Sequence, residues 1–234
     1  MKPDAIIVLP AYNEAVRIGE IVHAVRAAMP DADVVVVNDG SSDDTGTRAR
    51  EAGAIVLPLP FNMGYGVALQ TGYKYALEKG YAYLVQLDAD GQHDPRGMAP
   101  LLERVRSGAC DVCLGSRFLE GDTYRVPFAR RAGMYLFRRI ATALIGATIT
   151  DPTSGFQAMN RRVIAFFCRD LYPVDYPDTD VLVLLHHSGF RIAECPVVMY
   201  AGQQGKSIHA GLRPVYYLFK MALDIPLNLL RREK

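Results

Sequence analysis

The chain has no apolar run long enough to cross a bilayer. Nothing in it reaches the roughly eighteen uninterrupted apolar residues a span requires, and 181–185 is only a short core run. Cysteine is scarce: Cys110, Cys113, Cys168 and Cys195 are too few for a secreted disulfide framework in a chain of 234 residues. Cys110-Asp-Val-Cys113 has the spacing of half a zinc site, but no second pair or histidine cluster completes the set of about four ligands, so it reads as part of a strand. His93, His186, His187 and His209 likewise lack ligand spacing and read as structural or surface residues. An excess of one charge is also missing. A net charge of +1 gives no pull toward nucleic acid. There is no internal repeat and no low-complexity segment. The apolar run after Asp4 is too short for a signal peptide, so a cytosolic start is expected.

What remains has the composition of an ordinary soluble protein, 50% hydrophobic and 22% charged, long enough for one large domain or a domain with a tail. The apolar run 5–9 closed by Pro10 reads as a buried strand, and Asn13 as the N-cap of a helix carrying Ile18, Ile21, Val22 and Val25 up to Pro30. The β-branched run 33–37 predicts a second strand entering the acidic loop Asn38-Asp39-Gly40-Ser41-Ser42-Asp43. A helix over 47–52, a strand over 54–57 and a helix over 67–77 stopped by Lys79-Gly80 follow, then a strand over 83–87. This alternation predicts right-handed crossovers and a mostly parallel sheet, with three polar loops converging on one crevice. Further on, the pattern predicts a helix over 97–105, a strand over 111–114, a short strand after Gly155-Phe156, a helix over 178–187 and a strand from Gly189-Phe190 to Val198. Residues 127–145 read as a basic amphipathic helix. Its arginines are either a solvated face over a core stripe or a lip for a membrane surface or an anionic acceptor.

The stretch Leu84-Val-Gln-Leu-Asp88-Ala-Asp90-Gly-Gln92-His-Asp94-Pro95 carries the chemistry. A buried strand that stops at closely spaced carboxylates places hard oxygen donors at the C-terminal lip of a sheet, where open α/β folds bind ligands. Two carboxylates with a Gln amide oxygen suit Mg²⁺ or Mn²⁺ that keeps substrate phosphate oxygens as further ligands. Asp-Ala-Asp-Gly alone is also a common turn.

Six stretches, Pro10-Ala-Tyr12-Asn13-Glu14, Val37-Asn38-Asp39-Gly40-Ser41-Ser42-Asp43, Asn62-Met63-Gly64, Asp88 to Pro95, Gly115-Ser-Arg117 and Asp151-Pro-Thr-Ser-Gly-Phe156, occur in the order found in family 2 glycosyltransferases. Over roughly its first two hundred residues the chain most resembles the dolichyl- or polyprenyl-phosphate mannosyltransferase branch. The resemblance implies a GT-A type α/β nucleotide-binding sandwich with a mostly parallel central sheet over 1–210, and an amphipathic C-terminal helix over 211–234 that is interfacial or docked. It implies that Pro10, Tyr12, Glu14, Val37 and Asp39 line a nucleoside pocket closed by Asn62, Met63 and Gly64. Asp88, with Ala89, would hold the ribose or sugar side, and Asp90 with Gln92 would take Mg²⁺ or Mn²⁺. Arg117 and one of Arg130 or Arg131 would meet an acceptor phosphate.

The implied reaction is inverting transfer of a hexose from a nucleotide diphosphosugar, GDP-mannose or UDP-glucose, to a polyprenyl phosphate at the inner face of a membrane. The resemblance leaves room for a small membrane protein partner and none for nucleic acid. A phosphate acceptor, with a second pKa of about 6, needs no strong base. A sugar hydroxyl acceptor would need one, and Asp178 or Asp180 is then the candidate, against a plain N-capping role. A third alternative is a catalytically silent nucleotide-sugar-binding scaffold.

Overall fold

The computed structural model describes residues 3–119, 139, 142, 144–146, 148–169, 172–173, 177 and 179–200. The expected 127–145 helix lies almost wholly outside them and the 211–234 tail entirely, as do Arg130, Arg131 and Asp178. The described elements run β1 (Ala5–Ala11), α1 (Ile18–Ala28), β2 (Asp33–Asn38), α2 (Thr45–Glu51), β3 (Ile55–Pro58), α3 (Tyr65–Lys79) and β4 (Tyr83–Gln86). A 3₁₀ turn, Pro95–Gly97, leads into α4 (Met98–Arg106), followed by β5 (Val112–Ser116), β6 (Gln157–Asn160), α5 (Arg161–Phe167), α6 (Thr179–His187) and β7 (Ile192–Pro196).

These strands form one sheet of order β3-β2-β1-β4-β6-β5-β7. All neighbours are parallel except β6, which runs antiparallel to both β4 and β5. The mostly parallel sheet is therefore as the alternation predicts. The period-two alternation of the strands separates two apolar layers: Ile7, Leu9, Val34, Val36 and Val85 pack with α1, α2 and α4, while Ile6, Val8, Val35, Val37 and Leu84 pack with α3, α5 and α6. With both faces covered, the strands are continuous apolar runs. Their unpaired polar ends are left at the rims. Among the described residues no helix is long and apolar enough to cross a membrane.

One expectation is corrected here. Asn13 does not cap α1, which begins at Ile18 with Arg17 before it and no side-chain cap bond. The chain needs another turn to leave β1, and Asn13 makes it in the left-handed region, φ 56°.

At the far side of the sheet Asp111 ties three strands together. Its carboxylate accepts the Arg191 N–H at 2.9 Å and the Asn160 side-chain amide at 2.8 Å, with the Arg162 guanidinium at 3.3 Å. Burial opposes its charge, but the Arg191 N–H, the Asn160 amide and the Arg191 guanidinium hold its carboxyl below the usual range. Asp111→Asn is expected to lower the unfolding free energy in urea by about 1–3 kcal/mol at pH 7, the cost of disturbing buried bonds to a charged acceptor. A carboxyl depressed on folding contributes above its unfolded pKa and loses that contribution as pH falls through the folded value. The gap between variant and wild type should therefore close below about pH 4.

Candidate active site

The β1 and β2 loops are knitted together side chain to main chain. Asn13 donates its N–H to Ser41 Oγ and accepts from the Ser42 N–H, both at 2.9 Å, which holds the left-handed turn in place. The Glu14 N–H donates to Thr45 Oγ1 at 2.8 Å, and the Ala15 N–H to Asp43 Oδ2 at 3.1 Å. The third loop joins through Asp39. This carboxylate, only 4% exposed, accepts the N–H groups of Met63 at 2.7 Å and Gly64 at 3.0 Å. Gly40 has to be glycine: its φ is +64°, and a Cβ there would lie 2.2 Å from the carbonyl carbon of Phe61. Tyr12, 48% exposed, stands on the rim of this crevice.

At the end of β4, Ala89 is buried in the core while Asp88 and Asp90 stay partly open to solvent. Tyr65, the first residue of α3, donates its hydroxyl to Asp88 Oδ1 at 2.7 Å, and His93 Nε2 lies 3.4 Å from Asp88 Oδ2. Burial opposes the charge of Asp88, but His93, the Tyr65 hydroxyl and the Arg117 guanidinium outweigh it and hold the carboxyl below its usual range. Asp90 goes the other way. Burial and the neighbouring Asp88 carboxylate raise it, against hydrogen bonds from Gln92. Glu14 is also raised, by burial and by Asp90 and Asp43, against the pull of Arg17.

Behind these carboxylates the chain is braced. Segment 197–200 lies beside the acidic loop: the Tyr200 N–H donates to the Gln92 carbonyl at 2.8 Å, its hydroxyl donates to Asp94 Oδ2 at 2.8 Å, and Arg96 forks onto the same Asp94. The end of β5 is fixed by Arg117, 8% exposed, which donates to Asp151 through Nε at 2.6 Å and Nη2 at 2.5 Å. Glu194 on β7 accepts the Thr150 N–H at 2.8 Å and the Asp151 N–H at 2.9 Å.

The structure thus brings Pro10, Tyr12, Glu14, Val37, Asp39, Asn62, Met63, Gly64, Asp88, Ala89, Asp90 and Gln92 to one edge of the sheet. Pro10 and Val37 are buried in their strands and Ala89 in the core, so their side chains do not face the crevice. Two assignments change. Arg117, expected at an acceptor phosphate, spends its guanidinium on Asp151, because a carboxylate satisfies the same planar fork. Asp180, the candidate base, is 0% exposed in the first turn of α6, out of reach of a hydroxyl arriving from solvent. Arg131 lies outside the described residues. Sequence reasoning missed Tyr65, Asp151 and Glu194 as site builders. Tyr65 follows directly on Asn62-Met63-Gly64 and Asp151 opens one of the six stretches, whereas Glu194 carried no local signal.

The donor set suits a hard divalent ion. Asp90 is raised by burial and by Asp88, and Glu14 by burial and by Asp90 and Asp43, which a cation would relieve, and Gln92 adds an amide. Gln92 donates both its main-chain N–H, at 2.9 Å, and its side-chain amide to Asp90, so it orients that carboxylate; as a ligand it would turn its amide oxygen to the ion. Among the described residues no three His, Cys, Asp or Glu side chains are gathered in one place to hold a metal.

An open, mostly parallel sheet with polar loops and carboxylates gathered at one edge is the layout of a GT-A glycosyltransferase. The solved glucosyl-3-phosphoglycerate synthase of Mycobacterium tuberculosis, crystallised with Mn²⁺, UDP-glucose and phosphoglyceric acid, shares this fold with a TM-score of 0.71 at 20% identity, covering 95% of this chain and 79% of that one. The sequence model of Glycosyl transferase family 2 matches residues 6–166, and the chain belongs to that family. Within it the chain falls in the dolichyl-phosphate mannosyltransferase-like branch. It is 32% identical to the polyprenol monophosphomannose synthase of Mycolicibacterium smegmatis, over 93% of this chain and 85% of that one. It is 31% identical to the undecaprenyl-phosphate mannosyltransferase of Micrococcus luteus, over 87% and 86%.

Arg117→Ala is expected to destabilise the fold by about 3–5 kcal/mol in urea, because it leaves Asp151 buried and unpaired, and the double change with Asp151→Ala should recover part of that loss. Wild-type stability with lost transfer would instead return Arg117 to a substrate.

Proposed function

We propose that the chain is an inverting hexosyltransferase that moves mannose or glucose from a nucleotide diphosphosugar to a polyprenyl phosphate, working peripherally at the inner face of a membrane. The observation that carries this reading is the meeting of the three knitted loops with Asp88 and Asp90 at one sheet edge. The names of the two mannosyltransferase relatives support the choice of acceptor.

Tyr12 on the rim packs against the base, Asp39 holds Met63 and Gly64 as the wall of the nucleoside pocket, and Glu14 lies beside the diphosphate end. Asp88 accepts from hydroxyls of the donor. Asp90 and Gln92 would hold Mg²⁺ or Mn²⁺, which when bound supplies positive charge to the departing diphosphate. A polyprenyl phosphate oxygen is already ionised at neutral pH, so its attack on the anomeric carbon, opposite the diphosphate, needs no protein base. The burial of Asp180 favours this reading over a saccharide hydroxyl acceptor, which would have to hand its proton to a reachable carboxylate. Arg130 and Arg131, on the basic segment, are assigned to the acceptor phosphate and the membrane surface. The 211–234 stretch is assigned as an amphipathic helix that is interfacial or docked on the domain.

Incubation with labelled GDP-mannose or UDP-glucose, Mn²⁺ and a polyprenyl phosphate should give an organic-extractable, acid-labile product. Asp90→Ala should reduce that product at least about a hundredfold, as removal of a main charge-stabilising group does, while leaving the thermal unfolding curve in place. Label confined to water-soluble glycan would overturn the lipid acceptor, and undiminished transfer by Asp90→Ala would overturn the metal assignment.

A further inference from the structure

The Asp88 oxygens are met by two side chains, His93 from five positions further along the chain and Tyr65 from twenty-three positions before it. His93 reaches it at 3.4 Å, long for a hydrogen bond, whereas the Tyr65 hydroxyl reaches it at 2.7 Å, the ordinary length for a strong O–H donor. Its side chain remains 31% exposed, so it keeps acceptor capacity toward the crevice. The pair is walled from behind by main chain. A Cβ on Gly155 would lie 2.9 Å from Asp88 Oδ2 and 3.1 Å from the Tyr65 hydroxyl. That wall is itself fixed, because Gln86 donates to the Gly155 carbonyl at 3.0 Å and the Tyr73 hydroxyl donates to Gln86 Oε1. On its other side Tyr65 follows Met63 and Gly64, the two residues whose N–H groups Asp39 holds.

We propose that Tyr65 is a positioning residue that aims Asp88 at a hydroxyl of the sugar nucleotide and ties that aim to the closed 62–64 loop. The inference rests on the donor-site reading above and adds the residue through which the nucleoside wall and the sugar-side carboxylate are set together. With one Asp88 oxygen pinned by Tyr65 and the Gly155 main chain behind, the carboxylate keeps one orientation, and its remaining lone pairs accept from the donor. Tyr65 acts through Asp88. The loss of its hydroxyl should therefore be invisible once Asp88 can no longer accept as a carboxylate.

The test is a double-mutant cycle on binding, which needs no acceptor. GDP, UDP, GDP-mannose and UDP-glucose are titrated with Mn²⁺ into full-length wild type, Tyr65→Phe, Asp88→Asn and the double variant by calorimetry. Tyr65→Phe keeps the ring, so its melting temperature should stay within about 4 °C of wild type. For the nucleotide sugar that wild type binds, we expect about a tenfold weaker affinity in Tyr65→Phe, the size of one charge-assisted hydrogen bond, and no further loss when Tyr65→Phe is added to Asp88→Asn. Equal weakening for the bare diphosphate would identify a ribose hydroxyl as the target. Weakening confined to the sugar nucleotide would identify a hexose hydroxyl. Gly155→Ala, which removes no polar group but displaces the pair, should show the same pattern. Affinity within twofold of wild type in Tyr65→Phe while Asp88→Asn is impaired, or losses that multiply in the double variant, would overturn the proposal. Wild type that binds a nucleotide sugar yet transfers nothing to a polyprenyl phosphate would defeat the acceptor reading alone. Wild type that binds none of the four would defeat the donor reading and this inference with it.

Discussion

Asp39, Asp43, Asp151 and Glu194 each accept main-chain N–H groups from a segment other than their own turn, and the working edge of the sheet depends on that one kind of bond. A parallel sheet covered on both faces delivers every strand to the same rim, where the loops carry polar backbone and little apolar surface to pack. A carboxylate that takes two amide N–H groups of a neighbouring loop satisfies donors that burial would otherwise leave unpaired. It also fixes the separation of the two loops. The 62–64 loop is set this way by Asp39, the joint between the first two loops by Asp43 and Thr45, and the turns at Arg117 and at Thr150-Asp151 by Asp151 and Glu194. The remaining carboxylates, Asp88, Asp90 and Glu14, are the ones left facing the crevice.

The division between structural and reacting charge follows from this arrangement. Asp43 and Asp88 lie below the usual carboxylate range because, against burial, hydroxyl and N–H donors or cations surround them. Glu14 and Asp90 lie above it because burial and like charge are not answered by protein groups alone. A partner that brings positive charge would relieve the raised pair, whereas Asp43 and Asp88 are held ionised by donors already in place. The same logic explains Arg117. At a rim rich in anions the nearest good partner for its fork is a carboxylate of the fold itself.

How much of this was legible in the sequence varies with the range of the interaction. Strand and helix alternation up to Gly80, and the placing of Asp39, Asp88 and Asp90 at one rim, follow from local periodicity and from the chirality of parallel crossovers. The direction of β6 does not, because the four residues Gln157–Asn160 carry no mark of polarity and their reversal is decided by the neighbours on either side. Asn13 was misread because asparagine suits both an N-cap and a left-handed turn, and only the serines opposite it choose between them. Tyr65 was missed because its partner lies 23 residues away, beyond any local pattern. Arg117 looked like a phosphate ligand because phosphate and carboxylate accept the same fork.

The reversed strand β6 has a consequence for how the polypeptide acquires its shape as it is made. Residues up to Gln86 complete four contiguous strands, β3-β2-β1-β4, while β5 and β7 form the other half, and within the sheet the two halves are paired through β6. As the chain emerges from the ribosome, the first half is exposed with β4 as an open edge until residue 160 has been synthesised. A one-residue slip in the seam would turn Met159, which packs with the α3 layer, to the opposite face. Assembly of the rim therefore waits on the short piece that bridges the two sub-sheets and then on β7 with Glu194, and the β6 joint is where the newborn protein can mispair.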